Sequence, residues 1–546
     1  MPRGLRPIGE VGAELGLHEE ELVYYGPHKA KVRVEALTRR RDVSDGRVVL
    51  VTAITPTPAG EGKTVTAIAL AQALRASGSG AAVCLREPSM GPVFGLKGGA
   101  TGGGRCTVEP AEDINLHFTG DLHAVTAANN LLAALVDEHL YRCREPHIDP
   151  RKVAFRRVVD VNDRALRHAV VGLGGGLPRE EHVDITAASE VMAVLGLAGE
   201  YSDLRRRCGR ILVGRTRDGR PVTAEDLRAA GAMAALLRDA LMPNLVQTQD
   251  GTAAFVHAGP FANIAHGTSS LVSLRLAQKL VPIAVVEAGF GADLGAEKFV
   301  HVVGAHGGPQ PHVAVVVVTA RALKHHAGIP SDGLAAPNPA AVRQALAQVR
   351  HHVDIVRRLG MRPVVCVNAF STDAPEEIRA VVAASEAWGV PAAVSRGYEL
   401  GAEGALDLAE VVRQVLRDAP PVSRRGLYAA DAPLAKKLEV VASEVYRASG
   451  VEWSDAAQRS LEWAEAWGFG GLPVCVAKTQ YSLTDDPTRR GVPTDFTIRI
   501  RDVAVRAGAG FVLAVAGEIM TMPALPPRPR AWDIDLDADG AIRGVT

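Results

Sequence analysis

The sequence has few cysteines, and they lie far apart. The six include no C-x-x-C pair and no pair at short spacing: Cys84, Cys106, Cys143, Cys208, Cys366 and Cys475. This scatter argues against a disulfide framework and against a cysteine-based zinc site. We therefore expect a protein of the reducing cytoplasm.

Long apolar runs are also missing. The longest, Val313 to Val318, is far shorter than the roughly 18–20 residues that span a bilayer. Residues 1–16 lack the apolar stretch of a secretory signal. The sequence thus predicts a protein that is neither secreted nor associated with a membrane.

Neither sign of charge is in excess, since 61 Lys+Arg balance 61 Asp+Glu in a chain of 546 residues. Without a general basic field, nucleic acid is not an expected partner, and any anionic ligand has to be held by a specific site. Because one hydrophobic core rarely grows beyond ~250–300 residues, this length predicts two or three domains.

Aromatic residues are scarce, whereas the 55 glycines exceed an average usage of about 7%. Seven of these glycines lie between residues 91 and 104. Glycine lets the backbone approach a ligand closely, so this density suits a segment wrapped around a small molecule.

Apolar, β-branched runs predict a parallel sheet that is buried on both faces. Residues 47–55, a Gly/Pro loop at 56–62, a helix and a second run at 81–87 form a βαβ unit. Similar runs recur at 281–288, 313–320, 362–370 and 510–517. The predicted fold class is α/β, with a P-loop-type, mostly parallel sheet as core, an inserted segment and additional smaller α/β lobes.

Changes in composition suggest the domain boundaries. Residues 1–144 and 231–366 are expected to form a nucleotide-binding α/β core. The Arg-rich residues 145–230 are predicted to form an inserted lobe, with a hairpin that turns at Asp218–Gly219. Residues 367–546 are expected to form one or more C-terminal α/β lobes.

A phosphate-binding loop is predicted at residues 55–64, TPTPAGEGKT, between the first strand and its helix. Lys63 would reach the outer phosphates of a nucleotide, and Thr64 would ligate magnesium. Glu61 is expected to point to solvent or to a metal-bound water. The predicted nucleotide-binding residues are Thr57, Pro58, Ala59, Gly60, Glu61, Gly62, Lys63 and Thr64. An ordinary βα turn with a chance GKT is the alternative.

Other polar residues are open to two interpretations. Arg86 would lie at the carboxyl edge of the second strand, where it could stabilise an anionic intermediate; a solvated loop arginine is the alternative. Asp293 and Glu297 form either a paired-carboxylate site or a solvated face with Lys298. The doublets His325–His326 and His351–His352 lack a metal partner at suitable spacing and are predicted to lie on the surface.

Seven long segments, in order along nearly the whole chain, resemble formate–tetrahydrofolate ligase of the monofunctional bacterial type. They are TPTPAGEGKT (55–64), REPSMGPVFGLKGG (86–99), EDINLHFTGD (112–121), HAGPFANIAHGTSS (257–270), EAGFGADLGAEKF (287–299), KTQYSLTDDP (478–487) and GEIMTMPALP (517–526). The resemblance implies that ATP, formate and tetrahydrofolate give 10-formyltetrahydrofolate, ADP and phosphate through formyl phosphate. It also implies a homotetramer that acts in one-carbon metabolism.

The resemblance further implies roles for single residues. It places Arg86 at the formyl phosphate and makes Glu87 a ligand of a monovalent cation, K⁺ or NH₄⁺; an ion pair between the two is the alternative. It assigns the stacking of the folate and purine rings to Phe290, Phe370 and Tyr398; for the two phenylalanines core packing is the alternative. At Tyr398, in YELGAEG, the family usually has Trp.

Formyl transfer to an amine also needs a general base or a proton path. Asp121 is the candidate, and a helix N-cap is its alternative role. Two other functions compete with the ligase. A P-loop ligase or kinase that activates a different carboxylate would share only residues 47–87. A P-loop switch ATPase would need an amphipathic membrane segment or a basic face, and the sequence indicates neither.

Overall fold

The computed structural model of the chain describes residues 4–58, 60–95, 99–419 and 426–545. In chain order, the strands of this part are β1 Leu22–Tyr24, β2 Ala30–Val32, β3 Arg47–Ala53, β4 Ala81–Leu85, β5 Gly102–Gly103, β6 Cys106–Glu109, β7 Ile148–Val153, β8 Val158–Val159, β9 Ala169–Val171, β10 Arg179–Glu181, β11 Asp184–Ile185, β12 Leu212–Thr216, β13 Pro221–Thr223, β14 Asn244–Thr248, β15 Ala253–Val256, β16 Ile283–Glu287, β17 Val313–Val318, β18 Arg362–Asn368, β19 Ala392–Ser395, β20 Gly450–Trp453, β21 Val474–Ala477, β22 Thr497–Arg506, β23 Phe511–Ala516, β24 Asp535–Leu536 and β25 Ile542–Arg543.

The α-helices of the same residues are α1 Ile8–Glu14, α2 Glu35–Arg39, α3 Lys63–Ala76, α4 Met90–Phe94, α5 Ala111–Asn115, α6 Asp121–Tyr141, α7 Glu190–Leu197, α8 Tyr201–Arg210, α9 Ala230–Leu236, α10 Leu271–Leu280, α11 Ala320–His326, α12 Pro339–Gln344, α13 Leu346–Arg358, α14 Pro375–Ala387, α15 Gly397–Leu400, α16 Leu406–Arg417, α17 Leu434–Glu444 and α18 Asp455–Ala466. Among these helices, none is long and apolar enough to cross a membrane.

A large, mostly parallel sheet organises the described chain, in the order β1-β2-β14-β15-β4-β16-β3-β17-β18-β19. Every neighbouring pair from β15 to β19 is parallel. Antiparallel pairing is confined to the β1 side of the sheet and to β5 and β6. The predicted α/β fold with a mostly parallel sheet is confirmed.

The central strand β3 shows why apolar runs make this sheet. Val48 and Leu50 pack into one core, whereas Val49 and Val51 pack into a second core on the other face. Helices α3 and α16 cover the second face, and α10 and α13 cover the first. A strand that is covered on both faces needs apolar residues on both, which Val48, Val49, Leu50 and Val51 supply.

The predicted βαβ unit is present as β3, α3 and β4, but its two strands are not neighbours. Strand β16 lies between them and pairs in parallel with both. The predicted strand at 510–517 belongs to a second, four-stranded sheet of order β20-β22-β23-β21. The hairpin predicted around Asp218–Gly219 is confirmed as β12 and β13.

The main sheet includes β18 and β19, so it extends to residue 395. The predicted domain boundaries stay a prediction. Because the central strands run in parallel, the carboxyl ends of β3, β4, β16, β17 and β18 meet at one edge. In open α/β sheets ligands bind at that edge, and most of the predicted site residues follow these strands.

Candidate active site

The 55–64 loop leaves β3 and ends at α3, whose first residue is Lys63. Gly60 and Gly62 have φ angles of 79° and 72°, a left-handed conformation that favours glycine. A Cβ on Gly62 would lie 2.2 Å from Asn368 Nδ2, so the loop packs against the end of β18 with no room for a side chain. Ala59, predicted to bind nucleotide, lies outside the described residues.

Glu61 does not point to solvent, so that part of the prediction is wrong, and contact with a metal-bound water stays a prediction. Its side chain is buried, and it accepts hydrogen bonds from the Thr57 N–H at 2.8 Å and from Thr319 Oγ1 at 2.8 Å. Burial raises the pKa of Glu61, against the effect of these hydrogen bonds and of the Lys63 charge. The carboxyl group ties the loop to the end of β17 and fixes the shape of its first turn.

Two histidines hold the first residue of the loop. The backbone N–H of Thr55 donates to His352 Nε2 at 2.9 Å, and His326 Nε2 donates to Thr55 O at 2.8 Å. His326, His351 and His352 are buried, so the prediction that both doublets lie on the surface is wrong. Burial lowers the pKa of His326 to about 4 and that of His352 to about 3, which keeps both rings neutral near pH 7.

Thr64 has a carboxylate partner that is not among the predicted site residues. Its Oγ1 donates to Glu287 Oε1 at 2.9 Å. Glu287 ends β16, the strand beside β3, and begins the segment 287–299. A hydroxyl and a carboxylate at adjoining strand ends form an oxygen donor set of the kind that Mg²⁺ takes. An acidic residue that ends an apolar strand run was the signal for this position.

Arg86 follows β4 and is half-buried. Its Nη1 donates to Pro260 O at 3.3 Å, and its Nε is buried without a hydrogen-bond partner in the described part of the chain. A Cβ on Gly289 would lie 2.4 Å from the Ala262 Cβ and 3.2 Å from Arg86 Nη2, so the backbone at Gly289 packs closely beside the guanidinium. Arg86 is not a solvated loop residue, and it retains donors for an anion.

Glu87 and Asp121 meet in a buried cluster with Lys31. The Lys31 ammonium donates to both oxygens of Asp121, at 2.7 and 2.9 Å, and Asn244 Nδ2 adds a bond of 2.8 Å. Burial and the Asp121 carboxylate raise the pKa of Glu87 well above its ordinary value. Glu87 Oε2 is buried and has no partner among the described residues.

The alternative roles of these two acids do not hold. In the described chain Arg86 makes no ion pair with Glu87. Gly120, not Asp121, is the N-cap of α6, and no side chain caps this helix. Asp121 is instead the first residue of α6, with both oxygens engaged by Lys31.

The three predicted stacking residues differ in setting. Phe290 is half-buried and has φ 61°, a strained conformation that is often found at functional sites. The Phe370 ring lies under the Arg321 guanidinium, 4.4 Å from its centroid. Tyr398 is 53% exposed, and a Cβ on Gly103 would lie 3.0 Å from its Cε2. Neither phenylalanine is a fully buried core residue.

Asp293 and Glu297 do not form a solvated face, because both are fully buried. Asp293 Oδ2 accepts from Lys478 Nζ at 2.9 Å, and Glu297 Oε1 pairs with His301 at 2.8 Å. The Lys478 ammonium offsets the effect of burial and lowers the pKa of Asp293. The segment that begins at Lys478 is thereby fixed to the carboxyl edge of the main sheet.

The predicted residues form two groups at this edge. Thr57 to Thr64, without Ala59, surround the start of α3, and Arg86, Glu87 and Asp121 lie at and behind the end of β4. A cavity of about 980 Å³ opens elsewhere, beside Gly46, Arg47 and His312. These residues are at the amino ends of β3 and β17, so the cavity lies at the edge opposite the predicted site.

The chain is similar to known proteins along nearly its whole length. A family model described as formate–tetrahydrofolate ligase matches residues 2–546. The proteins named formate–tetrahydrofolate ligase of Acidiphilium cryptum, Thermus thermophilus and Symbiobacterium thermophilum are 54%, 53% and 50% identical to the chain. Each match covers 99% of this chain and 98% of the relative.

Proposed function

The chain belongs to the formate–tetrahydrofolate ligase family, and on that premise we propose that it uses ATP to join formate to tetrahydrofolate. The products are 10-formyltetrahydrofolate, ADP and phosphate, and formyl phosphate is the intermediate. The observation that carries this proposal is the match over residues 2–546, which includes all seven segments of the resemblance. A ligase acting on a different carboxylate would not explain the segments beyond residue 87.

The first step activates formate. A formate oxygen attacks the γ-phosphorus of ATP, ADP leaves, and the formyl carbon gains a good leaving group. Catalysis of phosphoryl transfer is mostly positioning and charge stabilisation. The P-loop assignment gives this task to Lys63 and to the N–H groups at the start of α3. Thr64 and Glu287 would hold Mg²⁺, which neutralises phosphate charge.

The second step transfers the formyl group. The folate amine attacks the formyl carbon, the C–O bond to phosphate breaks, and the amine proton leaves with the departing phosphate. Negative charge on the reacting oxygens has to be stabilised in this step. Arg86 suits this role because its Nε is buried without a hydrogen-bond partner among the described residues, and a guanidinium can donate to an anionic oxygen. Asp121 acts indirectly in this proposal, since Lys31 and Asn244 occupy its oxygens.

Glu87 and Asp121 suit a monovalent cation. Glu87 Oε2 is buried without a partner among the described residues, beside the Asp121 carboxylate, and the Lys31 charge only partly offsets this. Such an oxygen is costly unless a further positive charge or a proton reaches it. K⁺ or NH₄⁺ held by Glu87 Oε2 would neutralise the Glu87 carboxylate directly behind Arg86. We also propose that the chain forms a homotetramer. Light scattering on the purified protein measures the mass of the assembly and tests this.

An isotope experiment tests the intermediate. Formate labelled with ¹⁸O is supplied with ATP and tetrahydrofolate, and the released phosphate is analysed by mass spectrometry. Formyl phosphate requires one formate oxygen to leave with each phosphate. Phosphate without ¹⁸O would contradict the mechanism while leaving the ligase activity intact.

Tyr398→Ala is expected to raise the KM for tetrahydrofolate or ATP by roughly 5- to 100-fold, because loss of one stacking contact costs about 1–3 kcal/mol. Tyr398→Trp restores the residue usual in the family and should give a KM no higher than that of the unmodified enzyme. Tyr141→Ala, at another exposed tyrosine, is the control and should leave both constants unchanged. Unchanged KM values for Tyr398→Ala would reject the stacking role.

His352→Leu is expected to lower kcat by roughly 10- to 100-fold, because it releases the Thr55 N–H and lets the loop shift by a fraction of an ångström. His352→Gln keeps an acceptor near that N–H and should recover part of the loss. The matched control is His351→Leu, since the neighbouring ring bonds Val445 O instead of the loop. Equal losses of kcat in the two leucine variants would show a general packing effect and contradict positioning through Thr55.

A further inference from the structure

Three side chains that the ligase reaction does not use converge on a hairpin of the insert. Strands β9 and β10 pair antiparallel, with Glu180 opposite Val170 and Glu181 opposite Ala169. His168 precedes β9 in an extended conformation, with φ −137° and ψ 106°. The register therefore continues to His168 opposite His182, and Glu180 shares a face with His182 because the two are two residues apart.

The potential ligand atoms of His168, Glu180 and His182 all lie within 4.8 Å of one another. His168 Nδ1 is 2.7 Å from Glu180 Oε1, and the two imidazole rings meet edge to face with centroids 4.6 Å apart. In the described part of the chain this is the one group of three or more His, Cys, Asp or Glu side chains that converges in this way.

The hydrogen bonding of His182 orients it as a ligand. Its Nδ1 bonds the backbone carbonyl of Arg167, which leaves the lone pair on Nε2 for a metal ion. Metal-bound histidines usually donate their second ring N–H to a carbonyl or a carboxylate in this manner.

We propose that His168, Glu180 and His182 bind a divalent metal ion of the zinc class on the insert hairpin. Two imidazoles and one carboxylate are a donor set that Zn²⁺ accepts, with water in the fourth tetrahedral position. Ligand atoms at about 2.0–2.1 Å from Zn²⁺ stand roughly 3.3 Å apart. The three side chains are exposed or half-exposed, so rotation about their χ angles closes the gap.

The metal stabilises a hairpin that is weak by itself. An isolated two-stranded hairpin is marginally stable, and the connection between β9 and β10 contains Gly172, Gly174, Gly175 and Gly176. Joining residues 168 and 182 through an ion closes this flexible segment and offsets part of its entropy. The base of the hairpin is also fixed by the residue next to His168, since Arg167 Nε donates to Met522 O at 2.9 Å.

Calorimetric titration of the chelator-treated full-length protein with Zn²⁺ tests the proposal. One saturable site per chain is expected, and His168→Ala and Glu180→Gln should each weaken binding at least tenfold. His147→Ala is the matched control, because His147 and Glu145 form a similar exposed pair at 2.9 Å that has no third ligand in the described chain. This variant should bind Zn²⁺ as the unmodified chain does.

A structural readout accompanies the titration. Zn²⁺ should slow proteolytic cleavage at residues 172–178 in the unmodified chain and not in Glu180→Gln, a variant that leaves the His182 bond to Arg167 in place. No saturable site, or a site of unchanged affinity in His168→Ala and Glu180→Gln, would overturn the proposal. So would equal weakening by His147→Ala.

Discussion

Lys63→Ala is expected to lower turnover at least ~100-fold, the scale of one lost charge-stabilising group in an active site. Lys63 is the first residue of α3, where helix N–H groups and an ammonium can act on the same phosphate. Because the transferred phosphoryl group gains charge at its outer oxygens, the loss should appear mainly in kcat for the ATP-dependent reaction. Steady-state kinetics with saturating formate and tetrahydrofolate measure it.

The control for this variant is Lys63→Arg, which keeps the charge but changes its position. It should retain more activity than Lys63→Ala and still fall below the unmodified enzyme, since an ammonium and a guanidinium are not interchangeable at such sites. Both variants should show the thermal midpoint of the unmodified protein. Unchanged turnover in Lys63→Ala would remove Lys63 from the mechanism.

Lys478→Met is expected to destabilise the fold by about 3–5 kcal/mol, the typical cost of removing one partner of a buried ion pair. Lys478 and Asp293 are both fully buried. Lys478 also donates to the carbonyls of Thr479 and Ser482, so the variant leaves a carboxylate and two carbonyls unsatisfied. Denaturant unfolding of the two proteins measures the difference.

The matched control is Lys436→Met, since Lys436 forms an exposed pair with Glu439 and such pairs contribute about 0–1 kcal/mol.

The destabilisation of Lys478→Met should also depend on pH. The lowered folded-state pKa of Asp293 gives the unmodified protein stability that is lost as pH falls below the ordinary value of 3.8. In Lys478→Met, burial without the ammonium raises the pKa of Asp293. The difference in the free energy of unfolding between the two proteins should therefore narrow in acid. A destabilisation by Lys478→Met no larger than that caused by Lys436→Met would contradict a stabilising role of the buried ion pair.

The sequence predicted the parts of the fold that depend on local pattern. The apolar run at 47–55, the glycine loop and the helix after it form β3 and α3 with small changes at their ends. Strand pairing depends on contacts between distant parts of the chain, and the local hydrophobic pattern does not indicate it. Hence the position of β16 between β3 and β4, and the separate sheet that contains β23, could not be predicted.

The site residues show the same limit. Lys63, Thr64 and Arg86 follow from motifs with a known chemistry. Glu61 is buried against Thr319, which lies more than 250 residues away in the chain. No local pattern in the sequence indicates that these two residues are in contact. His352 did carry a signal, because Val349, Val353 and Val356 of α13 are buried on the side where His352 lies. A polar residue on an apolar stripe indicates a buried contact.

The three-substrate assay tests the proposed function most directly. Purified protein is incubated with ATP, formate and tetrahydrofolate, and with each pair of the three, and 10-formyltetrahydrofolate is measured. Product is expected only when all three substrates are present, with ADP formed in equal amount. Product without formate, or no product with all three, would contradict the assignment.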